Sequence, residues 1–293
     1  DVLRLYVLSS NAPWDDLKFN WDGVKTVNRA INIFWNVYRF PLPYMILDGF
    51  EPARVADRHW DDAAIRSRFG DMAAEDRWII SRMNSCAALV DTALQERQLH
   101  RATRALIQFV LEDLSRWYVQ LVRPRMWLEG ESEEKTRAYE TMYYILRRLC
   151  GLLSPFIPHI TEIIYRNIRA PADPPSIHMT DWWPGDEDLR DGSLEQAMDT
   201  VRSFDEASAN ARQAGKRKLR WPVREVVVTT DDDAVASAIK SLSSVCEDRA
   251  NARSVRVVRG SFDRSGWRAE PVMKALGPAF GKRAPIVRTL ILS

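Results

Sequence analysis

The feature that most constrains the fold is a series of long segments in which apolar residues recur at helical spacing. Residues 75–97 place Trp78, Met83 and Val90 on one helical face, and residues 99–127 extend the same pattern over a longer stretch. Segments with the same periodicity occupy residues 22–40, 132–153 and 154–168. Several amphipathic helices joined by short connections predict an antiparallel helical bundle, so the fold is expected to be mainly α.

The ends of these helices are marked by residues with defined capping roles. Pro124 is expected to end or kink the helix of residues 99–127, because proline lacks the backbone donor that a helix interior needs. Ser132 is a suitable N-cap for a helix that runs to about Leu153. Ser154 followed by Pro155 predicts that the next helix begins there.

The periodicity changes in the last third of the chain. Residues 170–192 are rich in proline and turn residues and predict a linker. Ser193 and Gln196 form a capping-box pattern, which predicts a helix that runs to about Ala214 and is closed by Gly215. The later pattern predicts a small α/β domain with strands at 226–230, 254–259 and 267–271, a helix at 233–247 and a partly helical end at 273–291.

Positive charge is concentrated where the predicted helix meets the predicted α/β domain. Residues 1–211 hold 25 Lys/Arg against 32 Asp/Glu, whereas residues 212–293 hold 17 against 8. The stretch NARQAGKRKLRWPVREVVV carries its cations at Arg212, Lys216, Arg217, Lys218, Arg220 and Arg224, with Trp221 among them. Such a charge asymmetry indicates an anionic partner, and cations beside an aromatic ring suit an RNA backbone and a stacked base. Trp221 is equally compatible with a packing role between the two domains.

A second candidate surface lies at the end of the long helix. Arg116, Gln120 and Arg123 are spaced so that they share one helical face, and Arg125 and Trp127 follow Pro124. Arginine, glutamine and aromatic side chains can bind phosphates, base edges and base planes of unstacked RNA. For Arg116, an ion pair with Glu112 or Asp113 is the alternative interpretation.

The sequence lacks the patterns of the common catalytic and metal sites. It has no glycine-rich phosphate loop and no helix with paired histidines, and its three cysteines, Cys86, Cys150 and Cys246, are far apart. We therefore expect no catalytic residue, no metal site and no cofactor in this chain. The longest uncharged run, residues 149–161, is too short and too rich in proline to span a membrane, and a cytoplasmic location is expected.

Six stretches in register resemble one enzyme family. They are DVLRLYVLSSNAPWDDLKFNW, FWNVYRF, EDRWIISRMNS, LSRWYVQLVRPRMW, SPFIPHITEIIY and ARQAGKRKLRWPVREVVV. Together they resemble the class I aminoacyl-tRNA synthetases for isoleucine, valine and leucine. Within that group, RPRMW and KLRWPV are most similar to the archaeal type of isoleucyl-tRNA synthetase.

The resemblance implies which part of such an enzyme this chain is. The family's H-I-G-H and K-M-S-K-S motifs, which hold ATP, do not occur, and the chain begins with Asp1 rather than Met. The chain is therefore expected to be a part that follows the catalytic and editing domains. The implied divisions are residues 1–21 as a remnant of the stem-contact region, 22–184 as the helical anticodon-binding domain, 185–222 as a connecting helix with the basic joint, and 223–293 as the α/β domain.

The implied partners are tRNA(Ile) and the catalytic and editing domains of the same protein. ATP and magnesium would serve the full-length enzyme, and the protein is expected to be a monomer that binds no membrane. Two alternatives stay open. One is the same region of a valyl- or leucyl-tRNA synthetase. The other is a non-catalytic helical scaffold for proteins, in which the cations of residues 212–224 would pair with acids of residues 1–211.

Overall fold

The computed structural model describes residues 1–50, 62–130 and 132–260. The helices are α1 (Val2–Ser10), α2 (Trp21–Arg39), α3 (Leu42–Leu47), α4 (Asp62–Arg66), α5 (Ala74–Gln95), α6 (Leu99–Gln108), α7 (Val119–Trp127), α8 (Glu133–Leu153), α9 (Pro158–Ile168), α10 (Gly192–Ala214), α11 (Asp233–Ser241) and α12 (Ser243–Ala250). A π-helical segment, Phe109–Tyr118, joins α6 to α7. Short 3-10 turns lie at Phe69–Asp71, Ile177–Met179 and Glu187–Leu189, and the strands are β1 (Val226–Thr229) and β2 (Val255–Val258).

The centre of the bundle is α5, which packs against α6, the π-helical segment, α8 and α10. Its residues Trp78, Ile79, Ile80 and Met83 are fully buried. The apolar periodicity of residues 75–97 therefore corresponds to a helix surrounded by other helices. The prediction of a mainly helical bundle followed by a small α/β unit is confirmed.

The long helix of residues 99–127 does not end at Pro124, and that expectation is wrong in part. The chain stays helical from Leu99 through the π-helical segment to Trp127. The turn after Pro124 is held by Met126, which is fully buried, and by Arg125, which is ion-paired with the buried Asp76. These tertiary contacts compensate for the backbone hydrogen bond that proline cannot make.

The helix boundaries match the sequence signals at some positions and differ at others. Ser132 caps α8 by accepting a hydrogen bond from the Lys135 backbone N–H at 3.1 Å, as predicted. The prediction that Ser154 begins the next helix is wrong, because its hydroxyl donates to the Gly151 carbonyl at 2.9 Å and so belongs to the end of α8. Pro158 is the first residue of α9.

Helix α10 begins two residues before the capping-box pattern indicates. Asp191 is its N-cap and accepts from the Leu194 backbone N–H at 2.9 Å, while the Ser193 hydroxyl donates to the Asp191 carboxylate. The helix ends at Ala214, with Gly215 next, as predicted. The left-handed residue that turns the chain away is Lys216, with φ of 54°.

The terminal unit consists of two parallel strands, β1 and β2, paired with Val226 opposite Val255. Parallel neighbours need a crossover connection, which α11 and α12 supply. The single helix predicted at 233–247 is thus two helices that break at Leu242. Both helices pack against α10, so α10 links the bundle to the terminal unit. The strand predicted at 267–271 and the helix predicted at 273–291 lie outside the described residues.

Candidate nucleic-acid interface

The end of the long helix carries an exposed polar stripe. Arg116 and Gln120 are exposed, and Arg123 is half-buried one turn further along. The Arg116 guanidinium is paired with the Glu112 carboxylate, four residues earlier, at 2.6 Å. Exposed pairs of this kind contribute little stability, so Arg116 can exchange its partner for a phosphate at small cost.

An aromatic cluster surrounds Arg123. The Arg123 guanidinium lies over the ring of Phe40, 5.4 Å from the ring centre, and over the ring of Trp127 at 5.5 Å. Trp127 is 55% exposed and donates its indole N–H to the Tyr44 hydroxyl at 2.8 Å. We call Phe40, Tyr44, Arg123 and Trp127 the aromatic platform. A fixed, half-exposed indole beside a guanidinium suits the stacking of an unpaired base.

Phe40 and Tyr44 are members of the platform that sequence patterns do not identify. They lie on the short connection after α2 and on α3, about eighty residues before Trp127, and the Tyr44–Trp127 bond spans 83 positions. The only local signal is the aromatic and proline content of YRFPLPY, residues 38–44. Which aromatic residues meet at the platform depends on the packing of helices far apart in the chain.

Arg125 occupies a different environment from Arg123. Its guanidinium donates two hydrogen bonds to the carboxylate of Asp76, at 2.6 and 3.0 Å, and Asp76 is fully buried. The same carboxylate accepts from the Tyr118 hydroxyl at 2.6 Å, and burial raises the pKa of Tyr118 well above its ordinary value. The structure therefore places Arg125 in an internal network and not with the exposed stripe.

The basic joint, residues 216–224, is a concentration of exposed cations. Lys216, Arg217, Lys218, Arg220 and Arg224 are all exposed. Within the part of the chain that the structure describes, none of these five side chains forms an ion pair. Unpaired cations at this density repel one another, so a polyanion is the partner that this joint favours.

Trp221 does not fill the interface between the bundle and the terminal unit. It is 47% exposed, and the Lys218 ammonium group lies 5.8 Å from its ring centre. Leu219, between the cations, is 58% exposed. The joint thus combines free cations with an accessible aromatic ring.

Arg212 is the one predicted cation of this region that is buried. It is 7% exposed, and its guanidinium donates to the carbonyl groups of Ala250 at 2.6 Å, Lys218 at 3.0 Å and Trp221. Its surroundings are therefore backbone acceptors of the joint and of α12.

The platform and the joint are separate groups of residues among those described. The joint is bonded to Arg212 and Asn251, whereas the platform joins α3 to α7. The bundle and the terminal unit are connected through Trp117, which is buried, and through Arg249 and Asp205, which are partly buried. Arg249 on α12 lies over the ring of Trp117, 4.7 Å from its centre, and pairs with Asp205 on α10 at 2.5 Å. These contacts fix the terminal unit, and with it the joint, against the helix that carries the platform.

Metal-ligand clusters and exposed cysteines are not found in the described ranges. No group of three or more His, Cys, Asp or Glu residues there is arranged to hold a metal ion. The three cysteines are buried, and burial raises the pKa of Cys86 and of Cys246 to about 12, which keeps these thiols protonated. Among the helices described, none is both long and apolar enough to cross a bilayer.

Comparison with known proteins identifies close relatives. A family model of the anticodon-binding domain of tRNA ligase matches residues 76–228. The chain is 64% identical to the isoleucine–tRNA ligase of Methanoregula boonei and 61% identical to that of Methanospirillum hungatei, over 99% of this chain and 27% of each relative. It is 47% identical to the isoleucine–tRNA ligase of Methanocella arvoryzae over 96% of this chain and 25% of the relative. The chain thus spans about a quarter of the length of these relatives.

Proposed function

Since the chain belongs to the family of anticodon-binding domains of tRNA ligases, we propose that it is the tRNA-binding portion of an isoleucine–tRNA ligase. In this proposal the intact protein joins isoleucine to tRNA(Ile) with ATP and magnesium, which act in parts of the protein outside this chain. The chain itself orients the tRNA and carries no catalytic residue. A cytoplasmic, monomeric protein is part of the same proposal.

The observation that carries the proposal is the set of five exposed, unpaired cations in the basic joint beside the exposed Trp221. Phosphate contacts provide most of the affinity of proteins for nucleic acids, and they need cations that are not already neutralised. In a helical scaffold for proteins, the same cations would pair with the acidic bundle, which carries more Asp/Glu than Lys/Arg. Their free state therefore favours a polyanionic partner.

The basic joint and the aromatic platform would have different roles in tRNA recognition. The basic joint would contact phosphates, through Lys216, Arg217, Lys218 and Arg220, and contribute affinity without sequence preference. The aromatic platform, with Gln120 and Arg116 next to it, would hold unstacked anticodon bases and provide specificity. Arg125 and Arg212, which are predicted contact residues by sequence, would support these surfaces from the interior.

An exposed apolar surface near the start of the chain would contact the rest of the ligase. Leu3, Val7, Phe19 and Trp21 are 61%, 46%, 50% and 70% exposed. Phe19 packs edge-to-face against the buried Tyr6 and against Trp21, so the rings of Phe19 and Trp21 are held in place although they face solvent. Phe19 and Trp21, which are in ring contact, form an exposed apolar patch of the kind that marks an interaction site. We assign it to the catalytic part of the same protein.

The same region of a valyl- or leucyl-tRNA synthetase is the alternative within this enzyme class. It differs from the proposal in the tRNA that the platform prefers. The names of the relatives favour isoleucine, and a binding measurement distinguishes the three amino acids directly.

The test is equilibrium binding of the chain to transcripts of tRNA(Ile), tRNA(Val) and tRNA(Leu) at several salt concentrations. We expect tRNA(Ile) to bind most tightly and an anticodon change to weaken it. The logarithm of the affinity should fall with the logarithm of salt concentration with a slope of roughly −3 to −5, because each phosphate contact with a single strand contributes about −0.7. Equal, weak binding of all three transcripts would overturn the anticodon-reading role. An ATP–pyrophosphate exchange signal from the chain would contradict the absence of catalysis.

A further inference from the structure

Arg212 has an environment that is unusual for a residue in a basic stretch. It lies on the last turn of α10, three residues before Gly215, and only 7% of it is exposed. Its two terminal nitrogens contact three backbone carbonyls, and these belong to two separate segments: Lys218 and Trp221 in the joint, and Ala250 at the end of α12. A single buried side chain therefore connects the joint to the terminal unit.

The buried charge of Arg212 is stabilised by the dipoles of backbone carbonyl groups. No carboxylate among the described residues pairs with it, and its Nε atom has no hydrogen-bond partner. Ala250 is the last residue of α12, so its carbonyl lies at the negative end of that helix. A guanidinium offers several donors in a fixed planar fork and can bind several carbonyls together. A lysine ammonium at this position lacks that planar fork.

The contacts of Arg212 define the conformation of the joint. The Arg217 backbone N–H donates to the Arg212 carbonyl at 2.8 Å, and the Trp221 N–H donates to the Lys218 carbonyl at 3.0 Å. From the other side, Asn251 donates its side-chain amide to the Leu219 carbonyl at 3.2 Å and accepts from the Val223 N–H at 3.0 Å through its own carbonyl. With Arg212 at the centre, these bonds close residues 216–222 into a compact loop that exposes its four cations.

We propose that Arg212 is a positioning residue for tRNA binding. It holds the basic joint in the conformation in which Lys216, Arg217, Lys218 and Arg220 are exposed together, and it does not itself contact phosphate. The inference rests on the proposed function in so far as the partner is tRNA. The ordering of the joint by Arg212 is a property of the free protein and can be measured without RNA.

The first measurement is hydrogen exchange of the free chain, with Arg212→Lys and Arg212→Met compared with Arg217→Met. Arg217→Met is the matched control, because it removes one exposed cation from the same loop. We expect both Arg212 variants to lose protection at the amides of Arg217, Trp221 and Val223, and the control to keep it at Trp221 and Val223. Unchanged protection in the Arg212 variants would overturn the proposal.

The second measurement is binding to the tRNA(Ile) transcript as a function of salt. Each phosphate contact adds about 0.7 to the steepness of the salt dependence, so at 0.1 M salt it raises the affinity roughly fivefold over the value without that contact, with 1 M salt as the reference. The loss of one such contact is the change expected for Arg217→Met. For Arg212→Met we expect the loss of at least two contacts, roughly 25-fold in affinity and about 1.4 in slope. Arg212→Lys should restore little of this, although it keeps the charge.

The outcomes separate this inference from the proposed function. Full rescue by Arg212→Lys, with a slope change of about 0.7 for Arg212→Met, would make Arg212 a phosphate contact and overturn the positioning role. If the unmodified chain shows no salt-dependent binding, the proposed function fails while the exchange data still report on the loop. Should Arg212→Met also expose the amides of α5, Arg212→Lys becomes the deciding variant, since it keeps the buried cation.

Discussion

The arginines of the helical bundle and the cations of the basic joint have the same chemistry but opposite surroundings. In the bundle, Arg82 pairs with Asp113 at 3.1 Å and with Glu195 at 2.7 Å, and Arg202 binds the other oxygen of Asp113 at 2.8 Å. In the joint, Lys216 and its neighbouring cations are exposed and form no ion pair within the described part of the chain. One group is neutralised internally and the other remains available to a partner.

The difference teaches that the number of cations in a segment does not by itself define a binding surface. A buried, paired arginine stabilises the fold only as long as its partner is present, because removal of one member leaves an uncompensated charge. An exposed, unpaired lysine contributes little to stability but can displace counterions from a phosphate. Substitutions in the two regions should therefore have opposite profiles: loss of stability in the bundle and loss of binding in the joint.

The largest effect is expected from breaking a buried pair of the bundle. Arg125→Met leaves Asp76 fully buried without its cation, so the free energy of unfolding should fall by about 3–5 kcal/mol. Urea denaturation measures this change. Arg116→Met is the control: it removes an exposed pair with Glu112 and should cost less than about 1 kcal/mol. Equal, small losses in both variants would contradict the internal role of Arg125.

The next largest effect is expected in the joint, and it should appear in binding. Changing Lys216, Arg217, Lys218 and Arg220 together to glutamine removes four phosphate contacts, which lowers tRNA affinity roughly 600-fold at 0.1 M salt and flattens the salt slope by about 2.8. Each surface substitution should change the free energy of unfolding by no more than about 0.5 kcal/mol. Destabilisation without loss of binding would instead support the protein scaffold, in which these cations serve the fold.

A smaller effect is expected from the aromatic platform. Trp127→Ala removes a stacking surface that is 55% exposed, and base stacking on an aromatic ring is worth about 1–3 kcal/mol. We expect tRNA affinity to fall roughly tenfold with an unchanged salt slope, because no cation is lost. Trp182→Ala is the matched control, since Trp182 is 40% exposed and bonds Asp91 on α5. A similar loss of tRNA affinity in both variants would show that the platform is not part of the binding surface.

The smallest effect is expected in the pH dependence of stability. Burial acts to raise the pKa of Glu195, but hydrogen bonds from Ser81, Arg82 and Ser85 outweigh it and hold the pKa below its ordinary value. A carboxylate with a lowered pKa in the folded state contributes stability above the unfolded pKa of about 4.3, and this stability is lost as the pH falls through the folded value.

Glu195→Gln should therefore remove part of the decrease in unfolding free energy below pH about 4.3, as followed by denaturation at several pH values. An unchanged acid profile in Glu195→Gln would show that the pair with Arg82 does not contribute to the pH dependence.

Local patterns predicted much of the fold because their physical causes are local. Apolar spacing identified the helix of residues 75–97, and the hydroxyl of Ser132 identified the start of α8. The prediction at Ser154 was wrong, and the one at Pro124 was wrong in part, because the outcome at each position depended on other contacts. An ion pair between Arg125 and Asp76, 49 positions apart, holds the turn after Pro124. At Ser154 the hydroxyl serves the preceding helix and not the following one.

For the candidate site, the sequence by itself determined the composition of the two surfaces, a cationic joint with Trp221 and a helix end with arginine and tryptophan. Only the tertiary structure decided which members are accessible. It paired Arg125 with a buried carboxylate, enclosed Arg212 among backbone carbonyls and brought Phe40 and Tyr44 to Trp127. The physical reason is that the residue types set the charges, whereas ion pairing and burial depend on neighbours that only folding brings together.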